Sequence, residues 1–314
     1  MDILQLLNSS LRLAAPIILI AIGGLFALKV NIFNLGLEGF TLIGCFSSVV
    51  GAFYTNSVIG GLFIGVIATI LMTLIYAVFV MELKVNPVIC AIAFLTLSSG
   101  LTRYLMIPIF DVSGKYILSS DLALRPIAIS FLEKVPVIGP IINNQTILVY
   151  LSLIIPFFVY IFLYKTNIGL SMRAIGQSSN AAMSAGISVK KVQYFALILN
   201  GLFCGLAGAQ LALSLNLFNV GMTSGRGFTA LAALILTNAE PILTLLVCLL
   251  FGFANALANY LSTEGYPSQI LAMLPYALAL LAAILPMIIK TIAKSMKKAK
   301  IKNSKINNWR DINV

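Results

Sequence analysis

Charge is what this sequence has least of. Only 9% of its 314 residues are Asp, Glu, Lys or Arg, whereas a typical soluble domain carries about 25%. So few charges cannot cover a water-facing surface of this size, which excludes a soluble enzyme. Histidine is absent altogether, and its absence excludes imidazole metal sites and Ser-His-Asp catalysis.

Two other common sources of chemistry are missing as well. No GxxxxGK[ST] motif occurs, because Gly114-Lys115 is followed by Tyr116, so the chain has no P-loop of its own for ATP. The four cysteines lie inside apolar runs without a CxxC pair, and we interpret them as packing residues. They are Cys45, Cys90, Cys204 and Cys248. We therefore predict no catalytic residue, no metal and no cofactor.

Apolar residues are what the chain has in excess. They make up 60% of it and gather in segments long enough to cross about 30 Å of hydrocarbon. The pattern predicts an all-α, polytopic membrane protein with about nine transmembrane helices, within a range of about eight to ten. The predicted segments are 11–28, 33–53, 58–81, 85–106, 146–164, 193–215, 219–238, 242–261 and 269–290.

Basic residues set the predicted orientation, because Lys and Arg concentrate on the cytoplasmic side of a membrane. With the C-terminus inside, the inner segments hold 14 Lys and Arg residues and the outer segments hold six. The opposite orientation reverses that ratio. We therefore expect the N-terminus outside, the C-terminus inside and an odd number of spans.

The predicted organisation is one transmembrane domain, residues 1–290, followed by a basic tail, residues 291–314. From Lys290 onward the chain has eight basic residues and one acid, Asp311. This balance favours a cytoplasmic anchor beside anionic lipid over nucleic-acid binding. An external loop at 107–145 contains four prolines and is either a connecting lid or a binding surface for an external partner.

The inner loop, residues 165–192, differs from an ordinary connection. Its 28 residues are largely polar and small, although a connection between spans needs only a few residues. A short helix is predicted over Ser178–Ala185 and ends at Gly186, since glycine readily adopts the left-handed conformation that terminates helices. A long ordered loop of this kind indicates a docking element on the cytoplasmic side.

The sequence also contains an internal echo. Glu38-Gly39-Phe40-Thr41 recurs as Arg226-Gly227-Phe228-Thr229, and each copy opens an apolar stretch. In the predicted topology the first copy starts inside and the second outside. Inverted repeats with interrupted helices are typical of transporters, in which such helices line the substrate path.

Residues in the predicted spans suggest what such a path would carry. Asn34, Glu38 and Arg226 lie at the interrupted helices, where they either hold the helix starts together or line the path; we favour the structural role for Glu38. The neutral residues Thr96, Asn200 and Asn255 suit a polyhydroxylated solute, although interhelical hydrogen bonding explains any one of them equally well.

Three segments resemble permeases of ABC importers. NIFNLGLEGFTLIG (Asn31–Gly44) resembles the FNIGIEG motif of the ribose, branched-chain amino-acid and nucleoside type, and Gly169–Gln193 resembles the cytoplasmic coupling loop of that family. SGRGFTALAALI (Ser224–Ile235) is similar to AGRGFIALAA of the nucleoside branch. Within the loop, the permease pattern EAA-x-x-x-G corresponds to Asn180, Ala181, Ala182 and Gly186, with Asn180 in the place of the acid.

The resemblance implies a type II importer fold of about ten helices, one more than the chain offers, in a bacterial plasma membrane. It implies an ATP-binding subunit, a second permease subunit, identical or homologous, and an external solute-binding lipoprotein, with no nucleic acid. The expected contacts to the ATPase are Ser178, Asn180, Ala181, Ala182 and Gly186. The expected solute is a nucleoside; the alternatives are a sugar, a branched-chain amino acid or, from another class, a self-sufficient secondary carrier or channel.

Overall fold

The computed structural model describes residues 3–129 and 138–264, together with positions 266, 271, 273–275 and 277. Within these residues the chain forms eleven α-helices, one two-stranded sheet and a single 3₁₀ turn, Ser120–Leu122. The elements are α1 (Ile3–Lys29), α2 (Leu37–Thr55), α3 (Val58–Met81), α4 (Pro87–Phe110), β1 (Lys115–Ile117), α5 (Ile138–Ile142), α6 (Ile147–Lys165), α7 (Asn167–Gln177), α8 (Ser179–Ser184), α9 (Val189–Leu215), β2 (Leu217–Asn219), α10 (Arg226–Leu236) and α11 (Pro241–Thr263).

Seven of these helices are long and apolar enough to cross a membrane: α1, α2, α3, α4, α6, α9 and α11. They match seven of the nine predicted segments and confirm an all-α, polytopic class. The segment predicted at 219–238 is different, because only Arg226–Leu236 is helical, a length of about 16 Å. The ninth segment, 269–290, and the basic tail, 291–314, lie outside the described residues except for a few isolated positions.

Local sequence explains where several helices begin and end. Asn86 accepts the N–H of Val88 and is followed by Pro87, which fits the first helical position of α4. Glu240 and Pro241 form the same arrangement at the start of α11, where Glu240 accepts the N–H of Leu243 at 2.7 Å. Asn216 ends α9 in the left-handed conformation, which asparagine tolerates better than most residues.

Helix α1 lies at the centre of the bundle, and its residues from Ala14 to Ala27 are buried. It packs against α9, α10 and α11, and α9 packs in turn against α2 and α3. Glycines allow these helices to touch: a Cβ on Gly208 would lie 2.5 Å from the Cys45 nitrogen, and one on Gly205 would lie 2.7 Å from the Val66 Cα. Small residues at such crossings are the usual basis of helix packing in membranes.

The bundle has two distinguishable ends. The strand end carries β1, β2 and the start of α1, where Asn8 donates to the carbonyls of Ile141 and Asn143. The loop end carries α7 and α8, and there Lys29, the last residue of α1, donates to the Asn238 carbonyl. The chain between β2 and Asn238 therefore crosses the whole bundle, although only its second half is helical. The described parts of the loop at 107–145 and the loop at 165–192 accordingly lie at opposite ends.

Candidate functional site

The side chain of Glu38 joins the starts of two interrupted helices. Glu38 lies in the first turn of α2, and its Oε1 accepts the N–H of Gly225 at 2.8 Å while its Oε2 accepts the N–H of Gly227 at 2.6 Å. The first N–H groups of a helix have no partner within that helix, and a negative charge is favoured beside them. Glu38 therefore caps α10 from a different helix.

Glycine at position 227 makes this contact possible. A Cβ on Gly227 would lie 2.5 Å from the backbone nitrogen of Glu38 and 2.6 Å from its Cα. Gly39, the equivalent residue in the first copy of the echo, approaches α4 in the same way, with a Cβ position 2.9 Å from the Leu95 Cα. Both copies of the repeated motif thus occupy helix starts in close contact with a neighbouring backbone.

The two helix starts meet deep in the bundle. Glu38 lies 17 residues before Thr55, or about 25 Å along α2, and α10 continues for about 16 Å towards the loop end. The turns that lead into α10, residues 220–225, include positive φ at Gly221, Ser224 and Gly225, and Gly221 and Ser224 are exposed. We call residues 220–225 the turn segment.

The exposure of the turn segment restricts what can lie against it. Irregular backbone at membrane depth is tolerated only where it is buried in protein or lines a water-filled cavity, because hydrocarbon offers no hydrogen bonds. The exposed face of this segment and of Phe228, which is 44% exposed at the start of α10, is therefore suited to an aqueous path or to a protein partner.

Arg226 stabilises the turn rather than the carboxylate. Its Nη1 donates to the carbonyls of Met222 and Thr223, both at 3.1 Å. Among the described residues Arg226 forms no ion pair with Glu38, since the ion pairs found there are Arg125–Asp121 and Lys190–Glu82.

Asn34 and Asn200 form a buried pair at the break between α1 and α2. The Nδ2 of Asn34 donates to Oδ1 of Asn200 at 3.2 Å, and Oδ1 of Asn34 accepts the N–H of Gly36 at 2.8 Å. The side chains are 1% and 0% exposed, and Nδ2 of Asn200 has no partner among the described residues. Both side chains are enclosed in this conformation, and solute contact by Asn200 stays a prediction.

Thr96 and Asn255 lie apart from this pair. The Thr96 hydroxyl donates to carbonyls of its own helix, α4, which packs against α2 and α3. Asn255 donates to the Phe251 carbonyl within α11, which packs against α1, α6 and α10. The structure therefore brings Asn34 to Asn200 and Glu38 to the turn of Arg226, but it does not gather all six predicted residues into one cluster.

Two glycines that the sequence analysis did not propose as site residues complete the site. Gly225 and Gly227 supply the N–H groups that Glu38 accepts. The available signal was the glycine of the repeated motif itself, since a glycine at a helix start favours close approach of another backbone.

The loop at 165–192 folds as two helices at the loop end. The short helix predicted over Ser178–Ala185 is observed at Ser179–Ser184, and Ser178 caps it by accepting the N–H of Ala181. Gly186 follows with φ of 82°, its N–H donates to the Met183 carbonyl, and the N–H of Ile187 donates to Ala182. This bonding pattern is a Schellman motif, which requires the left-handed conformation at the glycine.

Helix α8 presents one face to solvent and one to the protein. Asn180, Ala181 and Met183 are exposed, Met183 by 61% of its surface. Ala182 is only 4% exposed and anchors the helix against the bundle, so it is not available to a partner in this conformation. The docking role expected for Ala182 stays a prediction.

An ion pair fixes the neighbouring helices at this end. Nζ of Lys190, at the start of α9, lies 2.8 Å from Oε2 of Glu82, which follows α3. The hydrogen bond from Lys190 lowers the pKa of the Glu82 carboxyl below its usual range. The 165–192 loop therefore returns to the bundle next to an ion pair between the start of α9 and the residue that follows α3.

Comparison with known proteins shows similarity over nearly the whole chain. The family described as "Branched-chain amino acid transport system / permease component" matches residues 6–289. The guanosine ABC transporter permease protein NupQ of Bacillus subtilis is 33% identical, over 90% of this chain and 93% of NupQ.

Two further relatives carry names for different solutes. The nucleoside ABC transporter permease protein NupC of Lactococcus lactis is 29% identical, over 87% of this chain and 89% of NupC. TsgC13 of Haloferax volcanii, named provisionally as a glucose ABC transporter permease protein, is 32% identical, over 80% of this chain and 76% of TsgC13.

Proposed function

The chain belongs to the family of permease components of branched-chain amino acid transport systems, and we propose that the solute it carries is a nucleoside. It is a multi-pass membrane permease. The proposal on the solute is supported by the similarity to NupQ, which extends over nine tenths of both chains. A nucleoside also matches a chain whose spans offer neutral hydrogen-bonding groups and few carboxylates.

The exposure of the turn segment is the observation that supports our placement of the solute path. This segment lies at membrane depth between β2 and α10, and its exposed backbone requires water or protein rather than lipid. We assign one wall of the solute path to residues 220–225 and Phe228. Glu38 stands behind this wall, and because both its oxygens accept backbone N–H groups, it presents little free charge to a neutral solute.

Energy enters through a separate subunit in this proposal. The chain has no P-loop. The contacts for a cytoplasmic ATP-binding subunit are the exposed residues of α8 and of its two ends: Ser178, Asn180, Ala181 and Gly186, with Met183 added from its exposure. ATP binding there shifts α7 and α8 as a unit and opens the path alternately to the two sides. A second permease subunit completes the path, an external lipoprotein delivers the solute, and the N-terminus lies outside.

Uptake in proteoliposomes tests the proposal. The full complex contains the ATP-binding subunit, the partner permease and the external binding protein. We expect it to take up labelled guanosine only when ATP is present on the side of the membrane where the ATP-binding subunit lies. Uptake by this chain alone, driven by an ion gradient, would contradict the importer mechanism and favour a self-sufficient carrier.

Glucose is the second candidate solute, because a relative with 32% identity is named for it. Competition separates the two: unlabelled adenosine or guanosine is expected to suppress uptake, whereas glucose, ribose and leucine are expected to leave it unchanged. Suppression by glucose but not by nucleosides would replace the proposed solute.

A further inference from the structure

A polar cavity lies at the loop end, away from the proposed path. Its volume is about 360 Å³, and it forms where the ends of α1 and α6 meet α7. The lining residues are Leu28, Lys29, Tyr164, Arg173, Gly176 and Gln177. Gly176 allows this meeting, since a Cβ there would lie 2.6 Å from the Lys29 carbonyl oxygen.

Two cations face the cavity in fixed positions. Arg173 donates through Nε to the Leu163 carbonyl at 3.0 Å, and its guanidinium carbon lies 4.7 Å from the centre of the Tyr164 ring. Nζ of Lys29 donates to the Asn238 carbonyl at 3.3 Å. Because a guanidinium has five N–H donors and an ammonium has three, both side chains keep donors for a ligand.

Neither cation is neutralised within the part of the chain that the structure describes. The ion pairs found there involve neither Lys29 nor Arg173. Glu240 lies close enough to act electrostatically on Lys29, but the two side chains form no ion pair within the described residues. Two cations that share one cavity favour an anion between them.

The surroundings of the cavity point to the membrane as the source of that anion. Helix α6 ends at Lys165, so the cavity lies at the level where spans leave the hydrocarbon. The preceding turns of α6 expose Phe157, Phe158 and Ile161, and α7 exposes Leu170. Apolar side chains that face acyl chains thus lie beside cations that face the headgroup level.

From this arrangement we infer that Lys29 and Arg173 bind the phosphate of an anionic phospholipid headgroup from the leaflet at the loop end. Basic pockets between membrane helices are suited to such headgroups. The Arg173 fork and the Lys29 ammonium contact the phosphate oxygens, and the Gln177 amide suits a headgroup hydroxyl such as that of phosphatidylglycerol. Since Ser178 alone separates α7 from α8, the bound lipid braces the coupling loop against α1 and α6.

Native mass spectrometry of the full-length chain tests this inference, with mixed micelles of phosphatidylglycerol and phosphatidylcholine. Wild-type protein is expected to retain phosphatidylglycerol in preference to phosphatidylcholine. Lys29→Gln is expected to reduce that retention about fivefold, and the double variant with Arg173→Gln further, since each cation near a headgroup contributes roughly that factor. Lys165→Gln is the matched control: this exposed lysine at the same end does not line the cavity and should behave as wild type.

Three results would overturn the inference. One is equal retention of the two lipids by the wild type, which needs no variant. Another is unchanged retention by Lys29→Gln and by Arg173→Lys, a variant that keeps the charge and the fold but loses the fork. The third is displacement of the lipid by millimolar inorganic phosphate, which would identify the free anion as the ligand.

Discussion

Oε2 of Glu38 accepts the backbone N–H of Gly227 at 2.6 Å, across 189 positions of sequence. The same carboxylate accepts the N–H of Gly225 at 2.8 Å, so one side chain satisfies two donors at the start of a half-length helix. Helix α10 cannot move away from α2 without breaking both bonds. The start of α2 and the start of α10 therefore behave as one structural unit in this conformation.

Removal of the Glu38 carboxylate tests this unit. Glu38→Ala leaves the N–H groups of Gly225 and Gly227 without partners, and each buried donor left unpaired costs about 1–3 kcal/mol. We expect a lower amount of folded protein and a lower melting temperature, measured by size-exclusion chromatography and thermal unfolding. Glu38→Gln keeps an acceptor oxygen, so its melting temperature should lie between those of Glu38→Ala and the wild type.

Glu82→Ala is the control for this experiment, because it removes a carboxylate from an exposed ion pair, which contributes little to stability since water screens it. If Glu38→Ala assembles normally and changes which solutes are carried, the carboxylate belongs to the solute path instead.

The close approach at Gly227 predicts a second effect. In Gly227→Ala the new Cβ meets the Glu38 backbone, and overpacking of this kind costs about 1–3 kcal/mol. Gly100→Ala is the matched control, since Gly100 also lies in a helix but a Cβ there meets nothing within 4 Å; it should change stability by less than about 1 kcal/mol. Equal melting temperatures for the two variants would contradict the packing role of Gly227.

Docking of the ATP-binding subunit is tested at Gly186. A Cβ at Gly186 meets nothing within 4 Å, so the side chain of Gly186→Trp has room in the isolated subunit but obstructs a partner at α8. The φ of 82° strains the backbone of any residue other than glycine at this position, so the variant needs a control with the same strain. We expect normal membrane insertion with reduced complex assembly, measured by co-purification, and reduced solute-stimulated ATP hydrolysis.

Gly114→Trp provides the comparison, because Gly114 has nearly the same positive φ, 87°, and equal space but lies near the strand end. It reproduces the backbone strain without touching the loop end. Normal uptake by Gly186→Trp would argue against a docking role for this loop.

Orientation across the membrane is tested by cysteine labelling. Ser178 and Ser120 are both exposed, at the loop end and the strand end respectively, while the four native cysteines are buried and free. A cysteine at Ser178 is expected to react with impermeant maleimide only from the cytoplasmic side, and one at Ser120 only from outside. Labelling of both from one face would refute the threading.

Solute contact is tested by comparing Thr96, which is exposed, and Asn255, which is half-buried, with the buried Asn200. Thr96→Val and Asn255→Leu are expected to weaken nucleoside uptake several-fold while the folded amount stays the same, because their side chains bond only to their own helices. Asn200→Leu leaves Nδ2 of Asn34 without its acceptor and should lower the folded amount. Wild-type uptake by the first two variants would remove them from the path.

The sequence predicted the positions of the long helices well, but it predicted one long helix where the structure has turns and the short helix α10. Val58–Met81 coincides with the predicted segment 58–81, because continuous hydrophobicity between polar ends is sufficient to define a span. The stretch 219–238 satisfied the same criterion but contains the turn segment followed by the short helix α10. Hydropathy records composition, and it does not distinguish a continuous helix from turns that a neighbouring carboxylate supports.

Composition and local pattern determined by themselves that this protein lies in a membrane, that a short helix in the 165–192 loop ends at Gly186, and that the repeated motif begins two helices. These properties depend on solvation and on bonds between residues close in sequence. Only the tertiary structure decided that Asn200 is enclosed, that Ala182 faces the bundle and that Glu38 caps α10. Those outcomes depend on which backbones come within about 3 Å of each other, and that is set by the packing of helices distant in sequence.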